Sequence, residues 1–132
     1  MTMNDFDLDE FVSLEELIRR TREILWKMSS ARRFIQALEA EAEQDGETYV
    51  SMFEYLLEVV VEVFMPAVEE DDDKDVIRSF LGICEELLSV NSSLLRESVD
   101  DLVAKLLIRD YPHLISQSGP QLQKLIATHR DG

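Results

Sequence analysis

The most continuous apolar segment of the chain covers residues 48–64, TYVSMFEYLLEVVVEVF, and its only charged residues are three glutamates. Glu54, Glu58 and Glu62 recur every four residues, so on a helix they form one stripe and the other sides are apolar. The three consecutive valines at 59–61 also fit a buried strand, and periodicity alone does not separate the two structures. The length of the segment favours a helix, which we expect at the centre of a bundle.

Two helices are predicted before this segment. Ser13-Leu14-Glu15-Glu16 has the form of a capping box, and apolar residues keep helical spacing from there to residue 42. The pair Ser29-Ser30 divides the stretch, which favours helices at about 9–28 and 30–44, while one bent helix fits the same pattern. Gly46 suits the left-handed position that ends a helix.

Three more helices are predicted after it. Pro66 should stop or bend the central helix, and residues 66–75 read as an acidic loop whose Asp73 or Asp75 caps the next helix. Helices at about 75–90, 93–109 and 119–129 follow, the first two joined by so short a loop that they should be antiparallel neighbours. The sequence therefore predicts one all-α domain, 1–132, of five or six helices, arranged either as a HEAT-like stack or as an irregular bundle.

The apolar faces of these helices predict one contiguous core. Its expected members, which share helical spacing, are Leu56, Leu57, Val60, Phe64, Phe80, Leu81, Cys84, Leu88, Leu102 and Leu106. Trp26 is expected to pack at the edge of this core because it adjoins Leu25.

The net charge of −15 is concentrated in the middle of the chain. Residues 1–47 carry a net charge of −6, residues 48–75 carry −8, and residues 76–132 carry −1. Such a field repels nucleic acid and anionic membranes and attracts basic proteins; the alternative is that it serves solubility alone. The acidic residues expected to bind a partner are Glu54, Glu58, Glu62, Glu69, Glu70, Asp71, Asp72 and Asp73.

Six of the thirteen bases lie in the first two helices. A nucleic-acid patch is one interpretation, but Glu15, Glu16 and Glu23 lie within helical reach of several of these bases, and ion pairs within the helix explain them more simply. Pairing with the acidic side of the central helix is a third possibility.

No residue pattern indicates catalysis. The single cysteine, Cys84, falls on an apolar face, and His113 and His129 lie far from it in the chain with no motif around them. The acidic run lacks the alternating spacing and the glycine of a calcium loop. We therefore expect no enzyme activity, no cofactor and no metal, and the acidic N-terminus MTMNDFDLDEF and lone cysteine favour a cytoplasmic protein that does not bind membranes.

One part of the chain resembles a known group of proteins. Residues 76–126 contain a helix with Phe80-Leu81 and Glu85-Glu86-Leu87-Leu88, a short polar loop, a second helix, and Gly119-Pro120 before Leu122 and Leu125. This stretch resembles the C-terminal half of small helical bacterial proteins associated with polymorphic toxins, some of which are similar to immunity proteins of contact-dependent growth inhibition systems. Where those proteins carry an aromatic-Leu-Glu group late in the second helix, this chain has Lys105-Leu106-Leu107.

The resemblance implies a function in binding rather than catalysis. We expect an immunity protein that neutralises a cognate, basic toxin domain, such as a nuclease, by occupying its active site or an adjacent surface. The alternatives are a general protein-interaction or adaptor domain and, third, an acidic mimic of nucleic acid.

Overall fold

A computed structural model describes residues 13–130, and within this range the chain forms six continuous helices and no strand. The prediction of a single all-α domain is confirmed. The helices are α1 (Leu14–Trp26), α2 (Arg32–Gln44), α3 (residues 52–71), α4 (Lys74–Leu88), α5 (residues 93–110) and α6 (Pro120–Arg130), with 3-10 turns at Ser29–Ala31 and Pro112–Gln117. The predicted start of the first helix near residue 9 lies outside the described residues.

Local hydrogen bonds and backbone conformation determine where α1 begins and where α1 and α2 end. The Ser13 hydroxyl accepts a hydrogen bond from the Glu16 backbone N–H at 3.1 Å, which caps α1. A break separates the two helices, because Met28 has extended backbone angles before the 3-10 turn. Gly46 has φ +78° just after α2, where glycine avoids the steric cost of the left-handed conformation.

The central helix begins four residues later than predicted. Ser51 is its N-cap, with the Ser51 hydroxyl accepting from the Glu54 N–H and the Glu54 carboxylate accepting from the Ser51 N–H, each at 3.1 Å. This reciprocal pair satisfies backbone donors that otherwise lack partners at a helix start. Residues 48–51 are therefore a connection. In α3, Met52–Val59 is α-helical, Val60–Phe64 and Ala67–Asp71 are π-helical, and the α-helical residues 65–66 lie between the two π segments.

The acidic loop predicted for residues 66–75 is wrong over most of its length. Pro66 has helical angles, φ −62° and ψ −35°, and α3 continues through it to Asp71. A proline ring in an α-helix clashes with the carbonyl oxygen one turn earlier and removes a hydrogen-bond donor. The π turns on both sides of Pro66 are wider and bond over five residues, so the backbone there does not follow the α-helical pattern that proline disrupts. The helix ends at Asp72, whose φ of 47° is left-handed, and only Asp72 and Asp73 lie between α3 and α4.

The C-terminal helices pack around α4. The Asp73 carboxylate caps α4 by accepting from the Val76 N–H at 3.2 Å, and α4 contacts both α5 and α6. The first segment of α5, Ser93–Val99, is followed by a π turn at Asp100–Ala104 and by Lys105–Asp110. The helix α3 contacts α1, α2, α4 and α5, which places it at the centre of the domain.

The core is contiguous, and its centre is an aromatic pair. The rings of Phe64 and Phe80 stack with centroids 4.4 Å apart, and Tyr111 meets Phe64 edge-on at 5.9 Å. Seven of the predicted core residues are buried: Leu56, Val60, Phe64, Phe80, Leu81, Cys84 and Leu106. Leu88 and Leu102 are half-buried against that core. The prediction for Leu57 is wrong, because its side chain is exposed.

Candidate interaction surface

The acidic stripe, Glu54, Glu58 and Glu62, lies along the first two segments of α3. Glu54 and Glu62 are exposed and Glu58 is half-buried. The three residues differ in role, because the Glu54 carboxylate completes the capping box with Ser51. Glu54 therefore contributes to the start of the helix, and Glu58 and Glu62 make no ion pair among the described residues.

Glu58 is surrounded by like charge. Partial burial raises the pKa of its carboxyl above the ordinary value, and the charges of Glu62 on α3 and Glu41 on α2 raise it further. Like charges four residues apart on a helix are mutually destabilising. Glu41, Glu58 and Glu62 thus form an uncompensated negative cluster built from two helices. The proximity of Glu41 to the other two residues was not predicted from the sequence.

The second predicted group, Glu69 to Asp73, is exposed, and two of its members also make structural hydrogen bonds. Glu69 accepts a hydrogen bond from the Tyr111 hydroxyl, which links the end of α3 to the segment after α5. Burial raises the pKa of the Tyr111 phenol, and the hydrogen bond to Glu69 adds to that shift. Asp73 caps α4, and Glu70, Asp71 and Asp72 are exposed.

Six of these eight acidic residues share one helix, contrary to the predicted loop, and Asp72 and Asp73 lie between α3 and α4. The acidic residues from Glu54 to Asp71 all belong to α3, so their relative positions are fixed by a continuous backbone. At the α-helical rise of about 1.5 Å per residue, Glu58 and Glu70 would lie roughly 18 Å apart along the axis, and the wider π turns make this an upper bound. The negative charge is therefore spread along α3.

An apolar stripe adjoins the acidic one and was missed by sequence reasoning. Phe53, Leu57 and Val61 are exposed by 43%, 39% and 46%. Each directly precedes a glutamate of the acidic stripe, giving Phe-Glu, Leu-Glu and Val-Glu pairs at intervals of four residues. That repeat is the sequence signal of an apolar stripe beside an acidic one. It does not show which side of an almost wholly apolar helix is left without packing contacts from other helices.

The bases of the first two helices pair elsewhere. Arg19 donates to Glu16 and Glu23, and Arg20 donates to Glu16, within α1. The hydrogen bonds from Arg19 and Arg20 lower the pKa of Glu16. Lys27 instead reaches Glu86 on α4 at 2.6 Å.

Arg22 contributes to a polar contact that joins three helices. Its guanidinium donates to Glu39 on α2, with Nη2 3.1 Å from Oε1, and the Tyr55 hydroxyl on α3 donates to Glu39 Oε2 at 2.6 Å. The Arg22 hydrogen bond lowers the pKa of Glu39, while burial and the bond to Glu39 raise the pKa of Tyr55. None of the ion pairs within residues 13–130 joins these bases to the acidic stripe.

Trp26 packs against two cations at the edge of the core. The guanidinium carbons of Arg22 and Arg32 lie 4.7 Å and 5.4 Å from its ring centroid. Arg32 also donates to the Trp26 carbonyl oxygen at 2.7 Å. The half-buried indole is therefore a packing residue at the α1–α2 junction.

Cys84, His113 and His129 make no hydrogen bond with one another among the described residues. Cys84 is fully buried, and this burial raises the pKa of its thiol. His113 is exposed beside the Tyr111 ring, and Nε2 of His129 lies 2.5 Å from Oδ1 of Asp100. Across residues 13–130, no group of three or more His, Cys, Asp and Glu side chains is arranged to hold a metal ion.

The described helices are short or charged by membrane standards, and none of those between residues 13 and 130 is long and apolar enough to cross a bilayer. The chain matches no protein-family model, no curated protein and no solved structure.

Proposed function

We propose that this protein is an immunity protein that binds a cognate toxin domain with a basic surface and blocks its activity. The observation that carries the proposal is the uncompensated cluster of Glu41, Glu58 and Glu62, which stands beside exposed apolar side chains. Charges that repel one another in the free protein are relieved when a cationic partner binds. The resemblance of residues 76–126 to toxin-associated helical proteins supports the choice of a toxin as that partner.

The proposed mechanism is occlusion. A nuclease toxin has a cationic cleft for the phosphate backbone, and the acidic residues along α3 present negative charge in a line that such a cleft can accept. Electrostatic attraction also speeds encounter, with association rate constants of about 10⁸–10⁹ M⁻¹s⁻¹ at low salt for steered pairs, against about 10⁵–10⁶ M⁻¹s⁻¹ without steering. No step in this mechanism needs a catalytic residue.

A test of the proposal is co-purification with a toxin domain encoded next to this chain, followed by a measurement of growth protection. Glu62→Lys should weaken protection and slow association by about threefold or more at low salt, because it reverses a charge in the cluster. Glu97→Lys is the matched control, since Glu97 is also an exposed helical glutamate, located on α5, and makes the same change in net charge. Equal effects of the two variants would show that the net charge of the chain, and not this cluster, attracts the partner.

A basic partner that is not a toxin would indicate the adaptor function instead. In that case Glu62→Lys would still weaken binding to the partner, but the chain would give no growth protection against a toxin encoded next to it. The two functions therefore differ in the growth assay and agree in the binding assay.

A further inference from the structure

The apolar stripe on α3 is unusual because its three large side chains face solvent beside charged ones. Phe53, Leu57 and Val61 follow one edge of the helix at steps of four residues, and each is more than a third exposed. Exposed apolar residues that form a contiguous group, rimmed by polar residues, mark interaction sites. This edge of α3 therefore offers apolar contact area that the described part of the chain does not use.

We infer that this edge docks an amphipathic α-helix of the partner, with apolar side chains on one face and Lys or Arg on the adjoining face. The inference rests on the proposed function, since it names the part of the toxin domain that would contact α3. The inference states the shape and the chemistry of the partner segment, which the charge of α3 alone does not specify.

The spacing of the apolar stripe favours a helix as the occupant. Residues four apart form the ridges that interdigitate when two helices pack, and each step along the ridge is roughly 6 Å. An extended peptide usually docks by adding a strand to an open sheet edge. Residues 13–130 contain no strand, so this second mode has no template in the described part of the chain.

The charge beside the stripe favours a basic partner over a second copy of this chain. Each apolar residue is followed by a glutamate, and Glu41 adds a third carboxylate next to Glu58 and Glu62. In a symmetric dimer formed along this edge, the same patch would face itself and bring these carboxylates together. With a net charge of −15 on each copy, such a pairing is opposed, whereas Lys and Arg on a partner would neutralise the cluster.

The experiment uses the whole chain and a synthetic probe. The probe is a leucine–lysine peptide of about 18 residues whose leucines repeat with helical periodicity, and its control is a peptide of the same composition with that periodicity scrambled. Binding is measured by calorimetry at about 0.15 M salt, where non-specific attraction between exposed charges is screened. We expect the periodic peptide to bind at least about tenfold more tightly than the scrambled one.

The matched variants are Leu57→Ser and Leu94→Ser. Both replace an exposed helical leucine, 39% and 51% exposed, and make the same change in surface polarity. Leu57→Ser should remove most of the advantage of the periodic peptide, about tenfold in Kd, as expected for a central apolar contact. Leu94→Ser, on α5, should retain it.

Three results would overturn the inference. The first is equal binding of the two peptides, and the second is an equal loss of binding in the two variants. The third is a wild-type dimer, seen by sedimentation, that Leu57→Ser converts to a monomer, because this result would assign the stripe to a second copy of the chain. The proposed function is tested separately: failure of the toxin domain to co-purify argues against the function, whereas full protection by Leu57→Ser argues against the docking inference alone.

Discussion

The Tyr55 hydroxyl donates a hydrogen bond to Oε2 of Glu39 at 2.6 Å, and this bond connects α3 to α2. Arg22 of α1 donates to the same carboxylate, so one side chain joins three helices. Because the Arg22 hydrogen bond lowers the pKa of Glu39 below its ordinary value of 4.5, the folded state favours the ionised form. The stabilisation is therefore present above the unfolded pKa and is lost as the pH falls through the folded pKa.

Removing Glu39 should destabilise the fold more than removing the Tyr55 hydroxyl. Glu39→Ala leaves the buried phenol without its acceptor, at a cost of about 1–3 kcal/mol, whereas Tyr55→Phe removes only one hydrogen bond, at about 0.5–1.5 kcal/mol. Urea unfolding at pH 7 measures both. Glu43→Ala, an exposed position on the same helix, is the control and should change the free energy of unfolding by less than about 0.5 kcal/mol. A Glu39→Ala effect as small as this control would contradict the role of the three-helix contact.

Mutations in the core and on the exposed edge of α3 should have clearly different effects on the free energy of unfolding. Phe80→Ala removes a fully buried ring stacked on Phe64 and should cost about 3–5 kcal/mol. Leu57→Ala truncates a side chain that is 39% exposed and should cost much less, about 1 kcal/mol or below. Thermal and urea unfolding of the two variants are the measurement. A large loss in Leu57→Ala would mean that the apolar stripe is covered in the folded protein.

The contrast between Phe80 and Leu57 shows how far the sequence predicts this fold. Helical spacing and capping residues predict the helices, because both act within a few residues along the chain. The same reasoning cannot show which side of α3 lacks neighbours, since apolar residues occur on almost every side of it and the packing partners come from distant helices. The exposure of Leu57 therefore needed the tertiary structure.

Pro66 and Glu69 illustrate a second limit. A local rule ends the helix at Pro66, but π turns flank it and Ala67 is buried, so α3 continues. The predicted acidic site has the same limitation: the stripe of Glu58 and Glu62 follows from four-residue spacing, whereas the bond between Glu69 and Tyr111 joins residues 42 positions apart. The binding role of these acids stays a prediction.

Gly119 and Glu85 form a coupled pair whose energetics should be non-additive. The Glu85 carboxylate caps α6 by accepting from the N–H groups of Gln121 and Leu122 at 3.2 Å and 2.8 Å. A Cβ added to Gly119 would come within 2.4 Å of the Glu85 side chain. Gly119→Ala should therefore displace the cap and cost about 1 kcal/mol, as should Glu85→Ala.

The double variant decides whether the cap is the cause. With the Glu85 side chain removed, the added methyl group at Gly119 has no carboxylate to displace, so the double variant should lose less than the two single variants together. Urea unfolding of the four proteins gives this coupling. Additive losses would show that Gly119→Ala acts on the backbone alone.

Glu58 should respond to pH in the direction opposite to Glu39. Burial and the neighbouring charges raise the pKa of Glu58, so the folded state binds its proton more tightly than the unfolded state does. Such a group contributes stability below the unfolded pKa, and that contribution is lost as the pH rises through the folded pKa. At pH 7 the ionised Glu58 carboxylate therefore destabilises the folded protein.

Glu58→Gln should consequently stabilise the protein at neutral pH. The expected gain is about 0.2–0.5 kcal/mol for each like-charge contact removed, and it should vanish at a pH below 4.5, where the wild-type carboxyl is protonated. Glu39→Gln should show the reverse sign at pH 7, because it removes a carboxylate that Arg22 and Tyr55 bind. Free energies of unfolding measured from pH 3 to 8 compare the two. If Glu58→Gln were neutral or destabilising at pH 7, the three carboxylates would not repel one another in the free protein, and the main support for a cationic partner would be lost.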